Sequence, residues 1–261
     1  MKLKIQLLYK LTQIVVLFCY GIIIAAIVFP LLYLMLPMSA ARKSRDALKV
    51  HWLRKFSAIL NLSITQSGDL PVQGTLLVSN HISWLDIVVI GQFIPAYFVA
   101  KSDILSWPII GFLSKQAGTI FIRRGDKKQI KLISEKIIWA LKQQGNVIAF
   151  PEGTTTRGDE VLGFHASLFQ PALLAKSPIQ PIAIEYIGES KQQTPFVGDD
   201  EFIPHLLKML SLDKIEVTVS FLPVLKSSGK DRQSVSVEAR EVISQTISAT
   251  EKTISIDPIR A

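Results

Sequence analysis

The 261-residue chain has a single cysteine, Cys19. It cannot close an internal disulfide, and no Cys-x-x-Cys zinc pattern can be written, so cysteine pairing does not reveal the redox compartment. Charge is also scarce. Asp, Glu, Lys and Arg together make up 19% of the residues, against 49% hydrophobic. That excludes a disordered chain and is low for a freely soluble enzyme. There is no Gly-x-Ser-x-Gly elbow, no Gly-x-Gly-x-x-Gly turn, no P-loop and no His-Glu-x-x-His. These absences argue against the common serine hydrolases, dinucleotide enzymes, nucleotide hydrolases and zincins. Acids are outnumbered: 29 Lys and Arg face 21 Asp and Glu, for a net charge of +8. Such a balance favours anionic partners, namely nucleic acid, an anionic membrane surface or phosphorylated ligands. Aromatic residues are not interleaved with the basic ones, and much of the basic charge falls in one stretch after residue 41, which argues against nucleic acid.

The longest feature is apolar. Leu11–Pro37 runs for 27 residues without a charge, where a membrane-spanning helix needs about 20. A cleaved signal peptide has a shorter apolar region, and a buried core helix is rarely this long. A membrane anchor is the expectation, with Pro30 kinking or splitting it. Lys2, Lys4 and Lys10 precede the run; Arg42, Lys43, Arg45, Lys49, Arg54 and Lys55 follow it. The excess on the C-terminal side places the bulk of the chain on the cytoplasmic face, such as that of a bacterial inner membrane. In residues 42–60, Leu48, Trp52, Phe56, Ile59 and Leu60 recur at helical spacing between basic residues. This reads as an amphipathic helix on an anionic bilayer, with Trp52 near the headgroups.

Beyond residue 70 apolar strands alternate with helical patterns. Strands are expected at Leu76–Asn80, Ala96–Ala100, Thr119–Arg123, Asn146–Phe150, Ile179–Tyr186 and Ile215–Leu222. Helices are expected over Ser102–Gln116, broken or started near Pro108, and at Lys127–Gln144, Ser167–Lys176 and Ser234–Thr250. The alternation predicts an α/β fold with a mostly parallel sheet flanked by helices. Gly188–Asp200 is turn-rich and is the expected mobile loop. No repeat or composition shift marks a second domain beyond the anchor.

Chemistry concentrates in three places. In Ser79-Asn80-His81-Ile82-Ser83-Trp84-Leu85-Asp86, a strand runs into a turn, and Ser83 with Asp86 fits a helix N-terminal capping pattern. Across such a junction Asp86 can fix the His81 tautomer and leave the other ring nitrogen free to take a proton from a hydroxyl. Taken alone, the pattern equally fits an Asp86 that only caps and a His81 that only turns. In Gly118-Thr119-Ile120-Phe121-Ile122-Arg123-Arg124, Arg123 ends an apolar strand and can fork to a phosphate, with Lys101 adding a point charge. In Phe150-Pro151-Glu152-Gly153-Thr154-Thr155-Thr156-Arg157-Gly158, a hydroxyl-rich turn can expose successive amides to an anion. Glu152 would repel a phosphate, so it is directed at a substrate hydroxyl or an arginine.

Asn-His-x4-Asp, Gly-x-x-Phe-Ile-x-Arg, Phe-Pro-Glu-Gly-Thr and the proline-bearing apolar strand Ile179–Ile184 occur in that order, behind an apolar N-terminal segment. In this order they resemble the glycerolipid acyltransferases, the 1-acylglycerol-3-phosphate (lysophospholipid) acyltransferase family. The likeness covers the middle of the chain and weakens over the last 60 residues. It implies that His81 and Asp86 are catalytic, and that Arg123, Glu152 and Gly153, extended through Thr154 and Arg157, bind the acceptor. The expected division is residues 1–60 as anchor and basic helix, and 61–261 as acyltransferase catalytic domain. No bound cofactor or metal is implied; acyl-CoA or acyl-acyl carrier protein serves as co-substrate. The first reaction implied is acylation of 1-acylglycerol-3-phosphate to phosphatidic acid. The Thr-rich extension and Val197-Gly198-Asp199-Asp200 resemble a bacterial branch that includes lyso-ornithine lipid acyltransferases, whose acceptor has no phosphate and so leaves no such role for Arg123. With no evident nucleophilic Ser or Cys, direct transfer within a ternary complex is expected. The rival from another class is a membrane-tethered, non-enzymatic binder of anionic ligands. It accounts for the net charge but gives no reason for a His–Asp pair.

Overall fold

The structure is a computed structural model that describes residues 2–122 and 127–256. Its first element is one apolar rod. Helix α1 (Lys2–Ile23) passes through a π-turn (Ile24–Val28) into α2 (Phe29–Met35). Pro30 therefore does not split the rod. The wider turn just before it, closed by Phe29 N–H donating to the Ile24 carbonyl, absorbs the misfit of a residue that has no N–H. Ile5–Met35 is the one stretch of the described residues long and apolar enough to cross a membrane, with a mean hydropathy of 2.8 in its most apolar window. The chain reverses at Leu36, which precedes Pro37 and is extended. Helix α3 (Met38–Leu60) then packs back along the rod.

The apolar stripe of α3 does not face outward, contrary to the surface-helix expectation. Trp52 Nε1 donates to the Leu17 carbonyl (2.9 Å) and its ring meets Phe18 and Phe56 edge to face. Phe56 and Leu60 are buried in the same core as Ile14 and Leu17 of α1. Much of the basic face is also spent on the protein. Arg42 donates to Gln143 O, Arg45 to the Tyr97 hydroxyl, Lys49 to Ala96 O and Arg54 to Gln92 O. The stripe was correctly legible as amphipathic; what it covers is the rest of the protein, because the sheet and its helices need an apolar lid.

Among the described residues seven strands make one sheet: β1 (Leu62–Ser67), β2 (Leu76–Ser79), β3 (Ala96–Lys101), β4 (Ile120–Ile122), β5 (Asn146–Ala149), β6 (Ile179–Tyr186) and β7 (Ile215–Phe221). The order is β1-β7-β6-β2-β5-β3-β4, and only β6–β7 is antiparallel. Strands β2, β5 and β6 are buried at every position, as expected of central parallel strands covered on both faces. Edge strand β1, polar at most positions and mostly exposed, carried no strand signal in the sequence.

Helices α4 (Leu85–Gly91), α5 (Ile110–Ala117), α6 (Lys127–Lys142), α7 (Gln170–Ala175), α8 (Ser190–Gln193), α9 (Phe202–Ser211) and α10 (Arg232–Ile256) complete the chain. A 3₁₀ turn at Ser102–Ser106 precedes α5, so the expected break near Pro108 is present. Helix α9 was missed from sequence. Its Pro204 lies in the first turn, where no N–H is needed, and Leu206, Met209 and Leu210 are buried. Helix α10 starts from Asp231, whose carboxylate accepts from the Gln233 and Ser234 amides and is held below the usual Asp range by those bonds. It buries Val235, Ala239, Ile243 and Ile247 at four-residue intervals. Gly188–Asp200 contains α8 and is pinned rather than loose. Phe196 N–H donates to Ile82 O (3.0 Å), and its carbonyl accepts from the Thr155 hydroxyl.

The contact between rod and α3 allows a direct test. A Cβ at Gly21 would sit 2.7 Å from Trp52 Nε1, and that ring is fixed by Phe18, Phe56 and Leu17. Gly21→Ala is expected to pry the helices apart and cost about 1–3 kcal/mol, read as a lower melting temperature of the full chain in detergent; an unchanged melt would refute the close packing.

Candidate active site

Strands β2, β5, β3 and β4 are parallel neighbours, so their carboxyl ends open on one edge of the sheet, where ligands of open α/β sheets bind. Four of the residues singled out in sequence follow from this order. His81 lies just beyond β2, Gly153 and Thr154 beyond β5, and Lys101 at the end of β3. These four line one cavity of about 790 Å³, walled mostly by apolar side chains and reaching the rod at Gly21, Ala25 and Phe29. Its size and lining suit a large apolar ligand with a few polar anchors.

The turn after β2 is built by hydrogen bonds from side chain to backbone. Asn80, 2% exposed, replaces a ladder pair: its Nδ2 donates to Ile184 O and its Oδ1 accepts from Ile184 N–H, both at 2.9 Å. This ties the end of β2 to β6 before the chain turns. His81 follows, and its Nδ1 lies 2.8 Å from Asp86 Oδ2. The same Oδ2 accepts from the amides of Ile82 (2.8 Å) and Ser83 (3.0 Å). Asp86 therefore closes the helix start by reaching back, and the expected Ser83 cap is not made. The cap position belongs to Trp84, without a side-chain bond, and Ser83 Oγ is buried without a hydrogen-bond partner among the described residues. A carboxylate in the first turn satisfies the free amides better than a hydroxyl and also suits the positive end of the helix. Asp86 is fully buried, whereas His81 keeps 19% of its side chain exposed and stacks flat on Phe150 with ring centres 3.9 Å apart. Tyr186, at the end of β6 and unsuspected from sequence, donates to Asp86 Oδ1 at 2.8 Å.

Glu152 is also redirected. It is 5% exposed, and its two oxygens accept from the amides of His81 (2.8 Å) and Leu162 (3.0 Å). The expected substrate hydroxyl or arginine partner is replaced by backbone, and Glu152 does not line the cavity. Burial pushes its carboxyl above the usual Glu range, against the two amide bonds that pull it down. The loop is not an open run of amides either. Gly153 N–H donates to Phe150 O, and Thr156 N–H to His81 O. Gly153 needs its glycine, with φ +69° in the turn. Arg157 is exposed and away from the cavity lining, and Arg123 lies outside the described residues. Among the described residues no group of three His, Cys, Asp or Glu is placed to hold a metal.

Comparison with known proteins agrees with the geometry. An acyltransferase family model matches residues 61–185. A lyso-ornithine lipid O-acyltransferase of Pseudomonas aeruginosa is 36% identical over 80% of this chain and 81% of its own. The chain belongs to the glycerolipid acyltransferase family. A 1-acyl-sn-glycerol-3-phosphate acyltransferase of Neisseria meningitidis is 31% identical over 77% of this chain and 81% of its own. The crystal structure of the Thermotoga maritima 1-acyl-sn-glycerophosphate acyltransferase PlsC superposes with a TM-score of 0.67 at 18% identity, covering 93% of this acyltransferase and 98% of that chain.

In this acyltransferase Glu152 makes stability depend on pH. Its folded-state pKa is raised, so the folded protein holds the proton more tightly than the unfolded chain. That contribution is complete below the unfolded value and is lost as pH rises through the folded one. Glu152→Gln is expected to abolish this slope. It also turns an NH₂ toward one of the two amides, at a cost of about 1–3 kcal/mol. Thermal melts from pH 4 to neutrality check both effects; a variant that keeps the wild-type slope would show that another group carries it.

Proposed function

We propose that this protein is a membrane-bound O-acyltransferase that moves a fatty acyl group from an acyl thioester, acyl-CoA or acyl-acyl carrier protein, to the hydroxyl of a lysolipid. The observation that carries the proposal is the 2.8 Å contact of His81 Nδ1 with buried Asp86 at the head of the apolar cavity. With Nδ1–H donated to the carboxylate, Nε2 is the proton acceptor. The lipid oxygen loses its proton to Nε2 and attacks the thioester carbonyl. A C–O bond forms and the C–S bond breaks, and the imidazolium returns the proton to the departing thiolate. The described cavity lining offers no cysteine, and Cys19 lies exposed on α1, in keeping with direct transfer. Residues 1–60 hold residues 61–261 to the cytoplasmic face of a membrane, where the acceptor resides. Exposed Ile5, Leu8, Val15, Val16 and Leu34 on the rod support that placement.

For the acceptor we favour a lyso-ornithine lipid. Lys101 and Asp103 line the cavity two residues apart, which suits a headgroup carrying both an amine and a carboxylate, and relatives from Pseudomonas and Rhizobium with this named activity are each 36% identical. The second reading, 1-acylglycerol-3-phosphate, is supported by Lys101 and by the Neisseria relatives. Full-length protein in vesicles, given acyl-CoA and each acceptor in turn, is expected to release free thiol and form the acylated lipid faster with lyso-ornithine lipid; a preference for the phosphate acceptor would reverse the assignment. His81→Ala is expected to lower the rate at least about 10²–10⁴-fold while membrane association is kept. Full activity in that variant would remove the catalytic role.

A further inference from the structure

Asp86 is enclosed on all sides, and His81 supplies only one of the hydrogen bonds it receives. Oδ2 carries three: the His81 imidazole and the amides of Ile82 and Ser83. Oδ1 is served from another strand. Among the described residues, Tyr186 is the donor that reaches it, across 100 positions of sequence. Tyr186 is 2% exposed, so no water competes for the bond. Burial, and the charge of Asp86 beside it, push the phenol well above its usual range. It therefore stays protonated and acts only as a donor throughout the working range.

We propose that Tyr186 is a positioning residue for acyl transfer, one that acts through Asp86 by drawing part of the carboxylate charge to Oδ1 and so setting how strongly Oδ2 holds the His81 ring. The inference rests on the His81–Asp86 reading above. The arrangement is a three-part relay from Tyr186 O–H to the Asp86 carboxylate and on to His81 Nδ1–H, with Nε2 as its working end. Without the phenol, Oδ1 would be a buried carboxylate oxygen lacking a donor, which a protein interior tolerates poorly. Five further acids and bases lie near. Glu152 approaches His81 from the loop after β5 through the backbone amide, and Lys101, Asp103, Lys49 and His165 line the same cavity. Tyr186→Phe leaves all of these in place.

The test is Tyr186→Phe in the full-length protein, assayed with acyl-CoA and lysolipid across pH. The expected result is a kcat about tenfold lower with KM for both substrates within about twofold. The acid limb of the kcat/KM profile should move to higher pH. With the donor gone, more negative charge stays on Oδ2 and favours the imidazolium over the free base. In an Asp86→Asn background the same substitution should change neither kcat nor the profile further, because the group it acts through has lost its charge. Wild-type kcat and an unmoved acid limb in Tyr186→Phe, or an equal loss in the Asp86→Asn background, would reduce Tyr186 to packing. Should the single variant not fold, 3-fluorotyrosine incorporated at position 186, which keeps the bond and strengthens the donor, should move the acid limb to lower pH; an unmoved limb would place Tyr186 in packing alone. If His81→Ala retains activity, the catalytic reading fails, whatever Tyr186→Phe does.

Discussion

A fully buried carboxylate survives as an anion only if donors surround it, and the centre of this molecule is organised to supply them to Asp86. Two come from backbone amides at the helix start, one from the imidazole and one from the phenol of a neighbouring strand. Each requires a different part of the fold to be in place. The turn after β2 must be tight, α4 must begin at Leu85 and β6 must run beside β2 in register. Hydrogen bonds to a charged, desolvated group are worth more than neutral ones, and losing one costs more. Position of the ring and stability of the centre are thus consequences of the same set of bonds.

The sheet order brings the remaining parts to His81 without long excursions. Strand β5 lies beside β2, so the loop at Glu152–Gly158 meets the His81 turn directly. Its carboxylate grips the His81 amide, and its Thr156 amide grips the His81 carbonyl. The segment around Phe196 closes the third side by bonding Ile82 O and Thr155. The backbone of His81 is held at both its N–H and its carbonyl, which is the precondition for fixing a side chain to within a fraction of an ångström.

The parts of the fold legible in the sequence are those with a strong local pattern. Central strands β2, β5 and β6 are short, largely apolar runs, and α6 carries Ile133, Ile137 and Leu141 on one buried face. Edge strand β1 left no pattern because one of its flanks is solvent. Of the site, spacing at a strand–turn–helix junction leaves the pairing of His81 with Asp86 level with a plain cap, and the family resemblance favours the pair; in the structure Asp86 does both. The partners of Glu152, Asn80 and Tyr186 were not legible, because each bond joins residues 10 or more positions apart and depends on strand order. Motif position pointed Glu152 outward; burial turned it to the backbone. The stripe on α3 shows the same limit. Periodicity tells which face is apolar but not which surface that face will meet.

The pairing of β1 with β7 joins residues 62–67 to 215–220. A ribosome therefore releases the apolar rod and the first strand long before the partner of that strand exists. Throughout that interval the rod and α3 have only each other and whatever apolar phase is at hand, since the rest of the core they share is still unmade. Early capture of the nascent N-terminus by a lipid phase or an insertion factor would shield it, a need that strand order adds to that of hydrophobicity.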